Sequence, residues 1–447
     1  MRLIIRGILW FGLYMTVILF PLVAGAVFFD TGQAAGPFVS LAIACGYIAL
    51  ALMATELALV SRFGGVAGAF GLDSLLQFHR QIGLASFALA LAHPILLVAD
   101  GAYDAAALLV PTHSTPWPIA MGIATLVLAA LVVGLSVYRR QLRITYEIWH
   151  VTHSILSLAL IGFGAAHVLG LGRLAALPVV RALWVGYLVL FVGMYVRYRV
   201  LRPLSQLNRP WEVVEVKAER GASTTLVLRP VDHAGFTFEP GQFGWIGLGR
   251  TPFATEQHPI SFSSNGDVPS ADGTVAFTIK QLGDWSTKVV PHIPVGTRAW
   301  IDGPHGVFTI DREEGAGYVL IGGGVGITPL FAMLQALETR GDVRPVYLFY
   351  GANDFQDLTF REEIEAMAER MPTLKLVTVI LHANDYYLGE RGFITAEILG
   401  RHLPSHLYKR FQYFICGPTP LMDAMESVLP QIGVPADRIH TERFDMV

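Results

Sequence analysis

The chain has 447 residues, 53% of them hydrophobic and only 15% charged, with a mean hydropathy of +0.50; it is too long for one ordinary domain and too apolar for an ordinary soluble one. A net charge of −3 argues against a nucleic-acid binder, and two cysteines, Cys45 and Cys416, are too few for a disulfide framework or a cysteine metal site. Charge is unevenly placed: residues 1–203 hold twelve arginines, no lysine and six acidic residues, whereas residues 204–447 hold twenty basic and twenty-nine acidic ones.

Apolar stretches near 8–29, 38–60, 76–99, 117–138, 147–169 and 177–196 are each about 20 residues long, enough to cross ~30 Å of hydrocarbon as a helix. In a six-span chain, Arg2, Arg6, Arg62, Arg80, Arg139, Arg140, Arg143, Arg197, Arg199 and Arg202 fall on one side, and only Arg173 and Arg181 on the other. The positive-inside rule then places both termini in the cytoplasm. A cleaved signal peptide over residues 1–26, ending at Ala24-Gly25-Ala26, would leave five spans and break that asymmetry. Six spans, in a multi-pass protein of the cell membrane, are therefore expected.

Polar residues inside a span are costly and usually functional. The third span carries His79 and His93, and the fifth carries His153 and His167; each pair is fourteen residues apart. Fourteen residues advance a helix about 21 Å and turn it about 1400°, roughly 40° short of four turns, so both histidines of a pair share one face. The two spans run in the same direction. His79 is thus expected to meet His153 at the cytoplasmic level, and His93 to meet His167 at the outer level. A lone membrane histidine usually bonds a neighbouring helix. Two equally spaced pairs instead supply what two stacked six-coordinate haems of b type need, two imidazoles each. His150 breaks the spacing and reads as interfacial. Arg80, Arg143 and Trp149 read equally well as neighbours of the inner haem carboxylates or as interfacial anchors.

After Pro203 the pattern changes. Short β-type runs, WEVVEV, TTLVLRP, GQFGWIGL and TVAFTIKQL, are split by Gly/Pro turns over residues 211–303, which predicts a small antiparallel barrel. From residue 317, the runs YVLIGG, RPVYLFYG, LKLVTVIL and FQYFICG alternate with helical segments, which predicts a parallel α/β sheet. GGGVGITP (322–329) follows a strand and opens a helix, a place where Gly322, Gly323, Gly324 and Gly326 let backbone approach a pyrophosphate, with Ile327, Thr328 and Pro329 starting the helix. ICGPTPLM (415–422) repeats that design with Cys416, Gly417 and Pro418. Upstream, EQHPISFSSN (256–265) is a hydroxyl-rich strand end that includes Ser263, and KQLGDWSTKV (280–289) offers Trp285, Ser286 and Thr287 at a helix start suited to phosphate.

On these motifs the chain resembles the ferric reductase and NADPH oxidase superfamily over nearly its whole length, with a soluble half similar to a ferredoxin–NADP reductase-type module. The resemblance implies a six-helix transmembrane bundle (1–203), an antiparallel β-barrel FAD domain (204–312) and an α/β Rossmann-like NAD(P)H domain (313–447). It implies that His258-Pro259-Ile260-Ser261 contacts the flavin, with the Ser261 hydroxyl near the isoalloxazine. It also matches Gly283-Asp284-Trp285-Ser286 to the family's Gly-Asp-Trp-Thr, residues 322–329 to the nucleotide loop, and Cys416-Gly417-Pro418 to the segment beside the nicotinamide. Phe444 would be the aromatic that stacks on the flavin, although it stops three residues short of the terminus. The membrane histidine pairs match the family's haem ligands.

A cytoplasmic dehydrogenase module then follows: NAD(P)H gives a hydride to FAD, and single electrons cross the membrane through two haems. Several features depart from the animal oxidases. There is no EF-hand pattern, the loop over residues 169–178 is short and lacks cysteine, and Leu97 stands where an oxidase tends to place histidine. Arg181 would place positive charge near the outer haem. The acceptor stays open among a ferric chelate, O2, a quinone and a partner redox protein served by an electron-supplying subunit; a haem-binding transporter is a distant alternative. NADH and NADPH are not separated, since Asp354 suits a ribose hydroxyl and Arg361 a 2′-phosphate.

Overall fold

In a computed structural model the chain divides into two compact units, Met1–Pro203 and Leu204–Val447. The structure describes residues 2–28, 36–60, 72–106, 112–171, 177–249, 251–253, 257–267 and 272–443.

The first unit consists of helices α1 (Arg2–Phe28), α2 (Pro37–Leu59), α3 (Leu72–Ala99), α4 (Trp117–Val137), α5 (Tyr146–Gly170) and α6 (Pro178–Val196). All six are long and apolar enough to cross a membrane. Helices α2, α4 and α6 each carry proline at the first or second helical position. The proline's missing N–H is no loss there, because first-turn N–H groups have no intrahelical partner. Helix α2 is the inner member: Leu50, Ala51, Ala54 and Leu57 are buried, against Leu160 and Ile161 of α5 and Trp184 of α6. The closest pairings are α2 with α3 and α4 with α5. Exposed apolar side chains such as Ile8, Leu9, Val127, Ile155 and Val189 fit a surface whose solvent is lipid.

In the second unit, β1 (Trp211–Glu219), β2 (Ser223–Pro230), β3 (Phe243–Leu248), β4 (His258–Ser261), β5 (Val275–Lys280) and β6 (Arg298–His305) form one antiparallel sheet in the order β4-β3-β6-β1-β2-β5. It curls until a bridge between Phe262 and Phe277 joins its two edges. Alternate residues point inward, so Trp211 and Val213 of β1 meet Leu226, Leu228, Phe262 and Phe277 in one core. Each such large apolar side chain stabilises the barrel by roughly 1.5–3 kcal/mol relative to exposure.

A second, wholly parallel sheet has the order β10-β9-β8-β7-β11-β12, built from β7 (Tyr318–Gly323), β8 (Val346–Ala352), β9 (Leu374–Ile380), β10 (Glu390–Arg391), β11 (Gln412–Cys416) and β12 (Ile439–Glu442). Helices α7 (Ile327–Thr339), α8 (Arg361–Arg370), α9 (Ala396–His402) and α10 (Thr419–Gln431) connect the strands. Leu320 and Leu348 face one core with Leu330 and Ile364; Val319, Ile321 and Phe349 face another with Leu399 and Met425. A sheet covered on both faces explains why its strands read as continuous apolar runs.

Candidate functional site

The membrane unit brings the four histidines together in the pairs that helical spacing predicts. Ring centroids of His79 and His153 lie 6.1 Å apart at 79°, and those of His93 and His167 lie 6.1 Å apart at 77°. With metal–nitrogen bonds of about 2.0–2.1 Å, two imidazoles opposed across one metal place their centroids roughly 6 Å apart. Both pairs therefore fit a metal held between them. Among the described residues there is no cluster of three or more His, Cys, Asp or Glu suited to a metal. The pairs supply two ligands each, which suits an ion whose remaining ligands come from a macrocycle.

Hydrogen bonds fix which ring nitrogen faces inward. His93 Nδ1 lies 2.7 Å from the Ala42 carbonyl, and His167 Nδ1 lies 2.7 Å from the Pro118 carbonyl. A carbonyl only accepts, so each Nδ1 carries the proton and donates it. As a carboxylate Glu56 only accepts, and His79 Nδ1 then donates to one of its oxygens. Ser136 Oγ donates its single hydrogen to the Val132 carbonyl (2.7 Å) and accepts from Trp149 Nε1 (3.2 Å). It therefore accepts from His153 Nδ1, 3.2 Å away. All four rings are Nδ1–H tautomers with an Nε2 lone pair to give, the arrangement in which an outer partner orients a metal-binding imidazole. Glu56, Ser136, Ala42 and Pro118 were not legible as members of this site. Only Glu56, an acid inside an apolar run, carried a signal in the sequence.

Glycines make room for two of the rings. A Cβ on Gly46 would lie 3.1 Å from His93 Nδ1, and one on Gly122 would lie 2.7 Å from His167 Nδ1. His150 stacks on Tyr146 at 5.7 Å, away from the pairs' geometry. The Trp149 ring packs 5.1 Å from His153, with the Arg139 guanidinium 5.2 Å from its indole centroid.

In the second unit the strand ends converge. Strand β4 pairs with β3 so that His258, Pro259, Ile260 and Ser261 oppose Ile246, Trp245, Gly244 and Phe243. His258 stacks on Trp285, with centroids 3.8 Å apart and planes 22° apart. The buried Ser263 accepts from Thr278 Oγ1 at 3.0 Å, and Thr278 in turn meets Thr225 at 2.8 Å. Ser286 Oγ accepts the N–H groups of Leu282 and Gly283, each at 2.9 Å, and donates to the Gly283 carbonyl at 3.1 Å. Its hydroxyl is thus committed to shaping its own turn, where the Thr287 amide also bonds Gly283 O at 2.9 Å.

The glycines of residues 322–329 serve mainly to close two loops on each other. A Cβ on Gly326 would lie 2.2 Å from the Cys416 carbonyl oxygen, and one on Gly323 would lie 2.6 Å from Leu421 and 3.0 Å from Pro418. A Cβ on Gly417 would lie 3.1 Å from the Gly323 amide nitrogen, and one on Gly322 would lie 3.1 Å from Leu330. Gly324 alone of these has a positive φ, +54°, and a Cβ on it would lie 3.6 Å from Lys280 Nζ. Ile327 is buried, Thr328 Oγ1 bonds the Val325 carbonyl at 2.8 Å, and Pro329 sits in the first turn of α7.

Register joins the two loops to the barrel. Cys416 pairs with Gly322 of β7 on one side and with Glu442 of β12 on the other. Ser261 Oγ donates to Glu442 Oε2 at 3.4 Å. Ser261, Glu442 and Cys416 are all buried. Burial, reinforced by Glu442, pushes the Cys416 thiol well above its ordinary pKa, so it is a neutral thiol and not a nucleophile. Glu442 is the member that the motifs missed, since nothing marks a carboxylate near the end of a chain until β12 is paired. Phe444 lies outside the described residues. At the start of α8, Arg361 is engaged by Glu365 at 2.8 Å and lies 3.7 Å over the Phe355 ring.

Comparison with known proteins follows the same division. Residues 45–164 match the ferric reductase like transmembrane component family, and residues 320–427 match the oxidoreductase NAD-binding domain family. The chain thus matches a ferric reductase-like transmembrane component within its first unit and an oxidoreductase NAD-binding domain within its second. This is the fused, multi-pass architecture that the sequence predicts. The chain is 31% identical over 227 residues to the reductase component of propane 2-monooxygenase from Rhodococcus jostii, covering 49% of this chain. It is 29% identical over 244 residues to a flavohemoprotein from Deinococcus radiodurans, covering 53% of this chain. The chain spans 59% of each relative's length, less than two thirds. A flavohemoglobin from Malassezia yamatoensis shares the fold, with a TM-score of 0.50 and 19% identity over 91% of this chain and 99% of that one.

Proposed function

We propose that the chain is a transmembrane oxidoreductase that takes electrons from cytoplasmic NADH or NADPH and delivers them to an acceptor on the other side, a ferric complex or O2. One observation carries this reading: two histidine pairs with equal 6.1 Å separations, on the same two helices, in a chain that also holds a nucleotide-binding sheet. When bound, FAD supplies the change from two-electron to one-electron transfer, and two b-type haems supply the path across the membrane. His79 and His153 would hold the inner haem, and His93 and His167 the outer one, each through Nε2. His258, Pro259, Ile260 and Ser261 would line the flavin edge, with Ser263, Trp285, Ser286 and Thr287 shaping its surroundings. Residues 322–329 would present backbone N–H groups to the nucleotide phosphates. Cys416, Gly417 and Pro418 would flank the nicotinamide, and Ser261 with Glu442 would fix polar atoms beside the reacting edge. If His93 and His167 both hold the outer haem, the acceptor would take electrons from it without binding its iron.

A second reading rests on the relatives. Those named above include a reductase component of a monooxygenase, so this chain would instead supply electrons to a partner redox protein.

The test is an anaerobic visible spectrum of the purified full chain with FAD and NADH or NADPH, followed by air or ferric citrate. Reduction of haem bands is expected, with His79→Ala or His153→Ala losing one haem and His93→Ala or His167→Ala the other. Rapid reoxidation by air with superoxide formed identifies O2 as the acceptor, and rapid reoxidation by ferric citrate alone identifies a ferric complex. Slow reoxidation by both favours the partner reading. Absence of any haem band reduced by either nucleotide overturns the proposal.

A further inference from the structure

The outer-partner sets of the two histidine pairs are unequal. At the outer level both Nδ1–H groups meet neutral backbone carbonyls, of Ala42 and Pro118. At the inner level His153 meets the neutral Ser136 hydroxyl, but His79 meets the carboxylate of Glu56. Glu56 is 8% exposed and lies within α2, a span with no other charged side chain. The neighbouring Thr55 hydroxyl turns back to its own helix, bonding the Leu52 carbonyl at 2.8 Å. The second carboxylate oxygen of Glu56 is buried without a hydrogen-bond partner among the described residues. A carboxylate inside a membrane span is costly and is kept where it has a task. The hydrogen bonding seen here is directed at His79.

A carboxylate acceptor draws the Nδ1 proton more strongly than a carbonyl or hydroxyl does, because the bond is charge-assisted. The imidazole becomes the stronger donor through Nε2, and a stronger donor favours the oxidised metal over the reduced one. We infer that Glu56 sets the inner His79/His153 site at a lower reduction potential than the outer His93/His167 site, so that electron flow runs downhill toward the outside. The inference rests on the two-haem reading proposed above. One electron leaves the inner iron for each that arrives at the outer one. No bond is made or broken in that transfer, and the Nδ1 proton stays on His79. Glu56 is a positioning residue that acts through His79.

The experiment is an anaerobic spectroelectrochemical titration of the full-length chain in detergent. The wild type should show two one-electron waves. His93→Ala, lacking the outer ligand, should keep the lower wave, and His79→Ala the higher. Glu56→Gln should raise the lower wave by at least tenfold in its one-electron equilibrium, equivalent to 59 mV, and leave the higher wave in place. Glu56→Asp, which retains a carboxylate, should shift it less. If Glu56→Gln fails to retain the inner haem, the order of waves in the His93→Ala and His79→Ala proteins still decides. An inner wave at or above the outer one overturns the inference. So does a Glu56→Gln protein that holds both haems with unmoved waves, and in either case the two-haem reading stands. A purified wild type without haem removes both.

Discussion

The ring of His440 lies against Phe414, with centroids 4.8 Å apart, and its Nε2 is 3.0 Å from Gln412 Oε1. Burial pushes its pKa down to about 4, against an opposing pull from Asp437. Glu313, 3.9 Å from Nδ1, is itself pushed up by burial and is a weak partner. Above pH ~6.5, the pKa of an unperturbed histidine, the ring is neutral in both folded and unfolded chains. As pH falls from there toward about 4, the unfolded chain takes up a proton that the folded one refuses, so stability is lost through that window. The loss is at most about 3 kcal/mol. Thermal unfolding of the full chain at pH 7 and pH 4.5 should show a smaller drop for His440→Gln than for the wild type; equal drops would contradict the assignment. Nothing in the run RIHTERF distinguishes this buried histidine from a surface one. The membrane histidines, by contrast, announced themselves, because any imidazole in a lipid-spanning run is out of place.

Helices α2 and α4 receive the two outer imidazoles in the same way. In each, a carbonyl accepts Nδ1–H and a glycine four residues later leaves space for the ring: Ala42 with Gly46 for His93, and Pro118 with Gly122 for His167. A Cβ added at Gly122 falls within 2.8 Å of two His167 ring atoms, whereas one at Gly46 comes no nearer than 3.1 Å to His93. On the two-haem reading proposed above, Gly122→Ala should lose the haem assigned to His93 and His167 and bring the haem-to-protein ratio down toward half. Gly46→Ala should be milder, and Gly134→Ala, whose Cβ meets nothing within 4 Å, should leave the ratio unchanged. The ratio and the reduced spectrum of the three purified variants check this. The fourteen-residue spacing was readable because a helix is regular, so position along it gives both height and face. The glycines and carbonyls were not, because a residue's opposite number on the next helix depends on how the helices dock. The nucleotide loop gives the same lesson. Its glycines read as room for phosphate, and Gly326 and Gly323 prove to be filled by residues 416–421.

Charge is distributed along the chain so that the membrane unit carries twelve arginines against six acids, and ten of the twelve fall on one side of a six-span chain. This favours an orientation with both termini in the cytoplasm. A cysteine at Ser114, in the exposed turn between α3 and α4, should react in intact cells with a membrane-impermeant maleimide. One at Arg140, in the turn between α4 and α5, should react only after lysis. The native Cys45 and Cys416 are both buried and give little background. The reverse labelling pattern would invert the orientation and place the nucleotide unit outside.

Hydropathy, helical periodicity and glycine-rich strand ends sufficed to place six spans, an antiparallel sheet and a parallel one, and to pair His79 with His153 and His93 with His167. Each of these depends on local order along the backbone, where burial in lipid or in a sheet leaves a regular trace. The partners that give those residues their chemistry lie far away in the chain: Glu56 on His79, Ser136 on His153, and Glu442 between Ser261 and Cys416. A buried polar atom must find a complementary one. Which one it finds is decided only when the helices and strands pack.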